Sequence, residues 1–348
     1  MKHNIEQMMK YIGIIISISI WFAFGCSTNQ GNRKQAANST IVTTETDSIE
    51  ILTTLIQKDS ADYKLFLRRA VFEVDNENLD PALRDLMQAL ELNQNDPQIY
   101  LLLSDVYFLL GKPHNSIDAL QKVLKIDPLN QTAFLKLSEI YLLKGEYPAA
   151  QKYAESAIRI NRENAEAYYL KAISRLEIGD TTDALNMLQI SAKLDTLNYM
   201  TFMQIASIYN SKNDTICKDY YVKALIVRPN DERALYFLGM YYQEQNDFEN
   251  ALQTYEVLSG LYPDNINAIY NSGYIYLVEL EDFESAEQSF QQVIEINPAH
   301  VQSVFNLGRT YEAMGLYNKA RTQYREALRL LPNYPLAVQG LNRLDEMD

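Results

Sequence analysis

The chain has few of the residues that stabilise small secreted domains or carry out catalysis. Its 348 residues include two cysteines, Cys26 and Cys217, three widely separated histidines and one tryptophan. Two cysteines cannot form a disulfide framework. No HExxH or CxxC motif occurs, and Gly111-Lys112 lacks the rest of a phosphate-binding loop. The sequence therefore predicts a protein that is not an enzyme and that holds no metal or cofactor.

Positive charge is also scarce. The chain carries 31 lysines and arginines against 45 aspartates and glutamates, for a formal net charge of -14. The basic residues are spread along the chain and form no patch. Binding to a phosphate backbone depends on such a patch, so the composition argues against a nucleic-acid partner.

Only one long apolar run occurs, from about Tyr11 to Phe24, and it follows Lys2 and Lys10. A helix that spans a bilayer needs about 20 apolar residues, and this run is shorter. The pattern predicts a signal peptide over residues 1–25. Met9 would begin a more typical signal, so Met1 and Met9 are both candidate start residues.

The end of this run, Ala23-Phe24-Gly25-Cys26, resembles a bacterial lipobox. The resemblance implies that Cys26 receives lipid and becomes the mature N-terminus, which gives a firm membrane tether. Residue 27 is Ser rather than the Asp of inner-membrane retention, which implies an outer-membrane anchor facing the periplasm. Ordinary signal peptidase would cut at the same bond and leave Cys26 unmodified. Residues 26–47 are polar and predict a disordered linker.

A period of about 34 residues organises the rest of the chain. Small residues recur at Ala82, Ser116, Ala150, Ala184, Cys217, Ala251, Ala286 and Ala320, and tyrosines at Tyr107, Tyr141, Tyr209, Tyr242, Tyr276 and Tyr311. Each unit reads as two short amphipathic helices that are marginal alone and must bury their apolar faces against neighbours. We place eight units at 63–96, 97–130, 131–164, 165–198, 199–231, 232–265, 266–300 and 301–334.

This spacing resembles the tetratricopeptide repeat family, with Leu-Gly early, Ala in the middle and Asp-Pro or Asn-Pro at the end of a unit. The resemblance implies an all-α, right-handed superhelix of helix-turn-helix repeats that binds protein partners in a concave groove. Residues 48–62 and 335–348 read as end-cap helices, which solenoids need to cover their outermost layers.

The candidate binding surface follows from helical phase. Positions 2, 5, 6, 9 and 12 of each first helix face away from its mate, and in the family they line the groove. Units five to eight concentrate Met and aromatic residues there, a composition typical of partner-binding surfaces. The candidate residues are Met200, Met203, Arg233, Tyr236, Phe237, Met240, Tyr270, Asn271, Tyr274, Phe305, Asn306 and Arg309. Asn271 and Asn306 resemble the asparagine ladder with which some tetratricopeptide proteins hold a peptide. The alternative is that these residues are semi-exposed packing.

Two further alternatives stay open. Asp followed by Ser or Thr and then a small, apolar or Thr residue, as at Asp180-Thr181-Thr182, resembles the O-glycosylation signal of exported Bacteroidota proteins, but such residues also cap helices and form turns. The favoured function is a lipid-tethered scaffold for a protein or peptide partner in envelope assembly or secretion. The alternative is an outer-membrane lipoprotein that binds glycans by stacking sugars on tyrosines.

Overall fold

The computed structural model describes residues 41–346, with side chains from residue 49. This part of the chain is all-α and contains eighteen helices and no strand. Helix α1 spans Ile41–Lys58 and helix α18 spans Pro335–Asp345. Between them lie eight helical hairpins: α2 (Tyr63–Asp75) with α3 (Leu79–Leu92), α4 (Pro97–Leu109) with α5 (Pro113–Ile126), α6 (Gln131–Leu143) with α7 (Tyr147–Ile160), α8 (Ala165–Glu177) with α9 (Thr181–Leu194), α10 (Tyr199–Asn210) with α11 (Ile216–Val227), α12 (Glu232–Glu244) with α13 (Phe248–Leu261), α14 (Ile266–Val278) with α15 (Phe283–Ile296), and α16 (Val301–Ala313) with α17 (Tyr317–Leu330).

The first helix of each hairpin begins at the residue where the sequence period places the start of a unit. A side chain just before each of these helices accepts a hydrogen bond from a backbone N–H of the first turn, which satisfies one of the unpaired donors there. Seven of these capping residues are Asp or Asn and one is His: Asp62, Asp96, Asn130, Asn164, Asn198, Asp231, Asn265 and His300. The aspartate or asparagine near each unit end is therefore a helix-start signal.

The turn inside every hairpin contains one residue with positive φ. Four of the eight are glycines, which adopt this conformation at low cost. The others are Glu77, Asn213, Asn246 and Glu281, with φ between 53° and 60°. Asparagine tolerates the left-handed region, whereas glutamate has no side-chain feature that favours it. Glu77 and Glu281 are thus the two strained turn residues among the hairpins.

Replacing Glu281 with glycine is expected to raise the free energy of unfolding by about 1 kcal/mol, because glycine removes the strain at φ 53°. Urea unfolding followed by circular dichroism measures the change. The matched control is Glu284→Gly, which places glycine in the first turn of α15 and is expected to cost about 1 kcal/mol. If both Glu281→Gly and Glu284→Gly lower the stability, the proposed backbone strain at Glu281 is contradicted.

Small residues allow the two helices of a hairpin to approach closely. Position 8 of each first helix is buried and holds Ala, Ser or Gly in all eight hairpins. In the last three hairpins it is glycine and faces an aromatic ring of the second helix. A Cβ atom added at Gly239 would lie 2.5 Å from the Tyr255 ring, and one added at Gly308 would lie 2.7 Å from the Tyr324 ring. The glycines therefore make room for the rings.

The helices of the described residues form two compact units that meet between Met187 and Leu188, inside α9. In the first unit, hairpins α2–α3, α4–α5 and α6–α7 follow one another, and the second helix of each packs against the first helix of the next. The core of its N-terminal part includes Leu52 and Ile56 of α1. Arg69, at a position that is usually apolar in this repeat, makes a bidentate ion pair with Asp85 of α3 at 2.7 Å.

In the second unit, hairpins α10–α11, α12–α13, α14–α15 and α16–α17 follow the same rule, and α18 packs against α17. Ala337, Gly340 and Leu344 of α18 are buried. Arg321 of α17 donates a hydrogen bond to the backbone carbonyl of Leu344 at 2.6 Å. Helix α18 therefore covers the last hairpin, as the sequence predicts for an end cap.

One boundary differs from the sequence prediction. Helix α1 begins at Ile41, seven residues before the predicted start of the N-terminal cap, so residues 41–47 are helical rather than linker. Composition alone misses this extension, since lengthening an existing helix costs much less than starting one. The predicted signal peptide, Cys26 and the rest of the linker lie outside the described residues. Among the helices in the described part of the chain, none combines the length and apolar character needed to cross a bilayer.

Candidate functional site

The twelve candidate residues all lie in the second unit, on the first helices α10, α12, α14 and α16. Nine of them reach solvent and form what we call the aromatic surface: Met200, Arg233, Tyr236, Phe237, Met240, Tyr270, Asn271, Tyr274 and Arg309. The other three, Met203, Phe305 and Asn306, are 6 %, 7 % and 4 % exposed. They lie beneath the surface rather than on it, because neighbouring helices cover them.

Buried aromatic rings support the aromatic surface from below. The Phe237 ring stacks on Tyr221 of α11 at a centroid distance of 5.9 Å. The Tyr236 ring lies 5.8 Å from Phe237 and 6.5 Å from Tyr255 of α13. Tyr221 and Tyr255 are at most 2 % exposed, and burial raises the pKa of Tyr221 to about 12. The rings at the surface therefore have few conformations to lose when a partner binds.

The two asparagines hold tyrosine hydroxyls. The Asn271 side-chain amide donates to the Tyr255 hydroxyl at 3.1 Å, and that hydroxyl donates to the Gln243 carbonyl oxygen at 3.0 Å. The Asn306 amide donates to the Tyr270 hydroxyl at 3.0 Å. Asn306 is buried, so its amide positions Tyr270 instead of facing a ligand. Asn271 is half-buried and keeps its carbonyl oxygen, so its contact with a peptide stays a prediction.

Tyr270 is the most firmly held residue of the aromatic surface. Its ring contacts Phe290 of α15 at 5.8 Å and meets His300 edge-on at 5.3 Å. His300 caps α16, where its Nδ1 atom accepts the Ser303 backbone N–H at 3.3 Å and lies 2.8 Å from the Ser303 hydroxyl. A capping Nδ1 must be unprotonated to accept a hydrogen bond. The cap of α16 thus depends on a neutral His300.

We expect acid to weaken this cap. Burial lowers the pKa of His300 below its ordinary 6.5. As pH falls below 6.5 the unfolded chain takes up the proton before the folded chain does, so the stability that the neutral ring gives is lost. The expected loss is about 1 kcal/mol, the usual value of an N-cap. Urea unfolding at pH 7.5 and 5.0 compares the wild type with His300→Asn, whose cap does not titrate. Equal pH dependence in both proteins would contradict this role.

Two arginines flank the aromatic rings. Arg233 is exposed on α12, and Arg309 on α16 donates to the Asn306 carbonyl oxygen at 3.3 Å. Within residues 49–346 neither forms an ion pair. The acidic neighbour of Arg309, Glu312, is already engaged by Arg343 at 3.0 Å and by the Tyr324 hydroxyl. The arrangement can therefore bind a chain through apolar contacts and through guanidinium donors that are still free.

The remaining candidate residues have structural roles. Cys217 is 2 % exposed and occupies the small position of its hairpin, and burial raises the pKa of its thiol. The aspartates of the Asp-Ser/Thr motifs accept hydrogen bonds from backbone N–H groups two or three residues later, as at Asp59, Asp180, Asp195 and Asp214. These contacts accord with the capping interpretation and leave glycosylation untested.

Sequence reasoning missed three supporting residues, Tyr221, Tyr255 and His300. The aromatic pair lies on second helices, at the position that faces the small position 8 of the first helix. A glycine at position 8 was the signal for Tyr255, because such a gap needs a large side chain to fill it. His300 occupies the capping position that holds Asp or Asn in the other seven hairpins, and this exchange was its signal.

The fold defines a class: an all-α protein built of repeated helical hairpins. Family models for the tetratricopeptide repeat match residues 67–131, 107–172, 233–265 and 277–344, which together cover more than half of the sequence. The chain belongs to the tetratricopeptide repeat family. This confirms the family and the all-α repeat fold that the period predicts.

Similar structures share the fold. The C-terminal part of a TPR repeat-containing protein from Cytophaga hutchinsonii matches with a TM-score of 0.58 and 19% identity, over 68% of this chain and 98% of that one. The pilF structure of Pseudomonas aeruginosa matches with a TM-score of 0.53 and 16% identity, over 60% of this chain and 94% of that one. At these identities the likeness concerns the fold alone.

Curated relatives match over part of their length. The peroxisomal targeting signal receptor of Saccharomyces cerevisiae is 28% identical over 172 residues, which are 46% of this chain and 28% of the receptor. The TPR repeat-containing protein YpiA of Bacillus subtilis is 24% identical over 161 residues, which are 46% of this chain and 38% of YpiA. The chain thus spans less than two fifths of the length of these relatives.

Proposed function

We propose that this protein is a membrane-tethered scaffold that holds a segment of a partner protein on its aromatic surface. A tetratricopeptide repeat protein serves protein–protein interaction, and the proposal adds the place and the tether. The observation that carries it is the accessible row of aromatic, Met and Arg residues on four successive first helices of the second unit. These residue types dominate the energetics of protein interfaces.

The geometry favours a protein segment over a compact small molecule. The aromatic surface is open and continues from one repeat to the next, with candidate residues on four helices. Two open depressions on the described surface, one on α3 and one in the loop before α12, lie elsewhere. An elongated surface with anchors one repeat apart suits an extended chain or a helix, whose side chains meet successive repeats.

The tether rests on the lipobox-like Ala23-Phe24-Gly25-Cys26. A diacylated Cys26 would hold the repeats at a membrane of the bacterial envelope, with the outer membrane facing the periplasm as the expected location. The partner would then be an envelope or secreted protein. A Cys26→Ser variant that still sediments with membranes would contradict the tether.

The expected result for the double variant Tyr236→Ala, Tyr270→Ala is loss of partner capture. Removing two anchored aromatic rings from an interface is expected to weaken binding by about 100-fold or more. Crosslinked pull-down from envelope extracts, with circular dichroism as the folding check, compares the variant with the wild type. The control is Tyr317→Ala on α17, which removes an exposed tyrosine that is 45 % accessible outside the aromatic surface.

Equal recovery of every partner by a folded double variant would overturn the proposal. Glycan binding is the competing outcome, since Tyr236, Tyr270 and Tyr274 are all partly accessible. A glycan array run with the same three proteins separates the two functions. Glycan signals that the double variant loses, without any protein capture by the wild type, would replace the scaffold with a glycan-binding protein.

A further inference from the structure

The face of the first helices that carries the aromatic surface holds few acidic residues, although the protein as a whole is strongly acidic. Positions 2, 5, 6, 9 and 12 of α10, α12, α14 and α16 make twenty positions, and they hold two arginines and one acidic residue, Glu312. The chain has 45 acidic residues among 348. The one carboxylate at these positions, Glu312, is paired with Arg343, so the charges left unpaired on this face are the two arginines.

The same positions of the first unit have a different character. There, Asp105, Glu139 and Glu166 stand beside Lys136, whose Nζ atom lies 2.6 Å from Asp105 Oδ1. Desolvation raises the pKa of Glu139 to about 7, and Lys136 opposes that rise. Lys136 is therefore partly neutralised by the carboxylates beside it. In the second unit neither Arg233 nor Arg309 forms an ion pair within the described residues, and Glu312, one turn after Arg309, pairs with Arg343 instead.

The acidic groups close to the two arginines in sequence are engaged elsewhere or lie at helix ends. Asp231 caps α12 and accepts the Tyr199 hydroxyl at 2.6 Å. Glu312 accepts two hydrogen bonds from Arg343, at 3.0 Å each. Glu232, the first residue of α12, accepts the Asn265 side-chain amide at 2.8 Å. Glu244 is the exposed last residue of the same helix. The two arginines thus keep donors free, and guanidinium groups bind carboxylates in strong charge-assisted pairs.

We propose that the aromatic surface selects an acidic segment, in which Asp or Glu side chains flank apolar or aromatic residues. This deepens the proposed function and rests on it. The carboxylates would pair with Arg233 and Arg309, and the apolar residues would contact Tyr236, Phe237 and Tyr274. A net charge of -14 repels an acidic segment from the rest of the protein. The acidic surface elsewhere would repel the segment and the two arginines would attract it, so the charge distribution would direct the segment to the aromatic surface.

A selection experiment tests the proposal with a random dodecapeptide display library as the probe. The full chain in detergent is the bait, and the Tyr236→Ala, Tyr270→Ala variant identifies the peptides that bind the aromatic surface. We expect those peptides to be enriched at least threefold in Asp and Glu over the unselected library. Their affinities, measured by fluorescence anisotropy, should fall at least tenfold between 50 and 300 mM NaCl, since exposed ion pairs are screened by salt.

The double variant Arg233→Gln, Arg309→Gln is expected to bind the acidic peptides at least tenfold more weakly. When this variant is used as bait, the selected peptides should show no enrichment in Asp and Glu. The charge-matched control is Arg162→Gln, Arg325→Gln. Both control residues are exposed and lie outside the aromatic surface, so binding should change less than twofold.

The outcomes separate this proposal from the broader function. Surface-dependent peptides with no acidic enrichment, or with Lys and Arg enrichment, would overturn the acidic preference and leave the scaffold standing. Equal weakening by the arginine variant and its control would also overturn it, as an effect of net charge alone. If no selected peptide depends on the tyrosines, both the acidic preference and the aromatic surface as a binding site fail.

Discussion

Replacing Tyr324 with alanine is expected to lower the free energy of unfolding of the second unit by about 3–5 kcal/mol, the usual cost of truncating a buried aromatic residue. The ring is fully buried between α16 and α18. Cβ atoms added at Gly308 and Gly340 would lie 2.7 and 2.5 Å from it. Both positions therefore need glycine to leave room for this one ring. Alanine would leave a cavity that two packed helices cannot close.

Tyr324→Phe separates the packing of the ring from the contribution of the hydroxyl. The hydroxyl donates to Glu312, which also accepts two hydrogen bonds from Arg343 of α18. Loss of the hydroxyl alone is expected to cost about 1–2 kcal/mol. Urea unfolding gives both values, and hydrogen exchange locates the loss in α16, α17 and α18. A cost for Tyr324→Ala no larger than that for Tyr324→Phe would contradict the packing argument.

Replacing Asp85 with alanine is expected to lower the free energy of unfolding of the first unit by about 2–4 kcal/mol. Asp85 is 6 % exposed and pairs with Arg69 through two hydrogen bonds of 2.7 Å. Arg69 also donates to the Thr53 hydroxyl of α1 at 2.9 Å. Without its carboxylate partner the guanidinium would remain partly buried and unpaired, so the loss would reach the contact between α1 and α2.

The double variant Arg69→Met, Asp85→Leu removes both charges of the pair at once. Replacing both members of a buried pair by apolar groups of similar size is often close to neutral. We therefore expect the double variant to lie within about 1 kcal/mol of the wild type, well above Asp85→Ala. Urea unfolding again measures the difference. A double variant as unstable as Asp85→Ala would mean that the site cannot accept apolar side chains. It would contradict the view that the unpaired Arg69 charge causes the loss of stability in Asp85→Ala.

The repeat period predicted the helical hairpins because each start carries a local signal. An Asp or Asn before each of seven first helices caps a backbone N–H, and this pattern is visible in the sequence alone. The same reasoning failed at Ile41. Residues 41–47 are helical because they extend the part of α1 that follows them, and their own composition does not predict a helix. The sequence also did not predict the positive φ of Glu77 and Glu281, since a glutamate side chain does not favour that backbone conformation.

The sequence predicted which side of the helices carries the candidate residues, but not how deeply each residue is buried. Helical phase assigns Met203, Phe305 and Asn306 to the same side as Tyr236, yet these three are buried. How far a neighbouring helix covers a residue depends on the packing of large side chains between hairpins, which a single helix does not specify. The hydrogen bond between Asn306 and Tyr270 joins residues one repeat apart, and it could be found only once the hairpins were placed side by side.

The contacts between hairpins have a mechanical consequence. Within each unit a hairpin is held mainly by the hairpins directly before and after it in sequence. Tension applied along the chain would therefore peel one hairpin at a time instead of breaking a whole unit at once. Each peeled hairpin would release about 34 residues, roughly 120 Å of extended chain. A protein of this kind gives way in small steps when a bound partner is pulled from it, and so absorbs load without losing its remaining repeats.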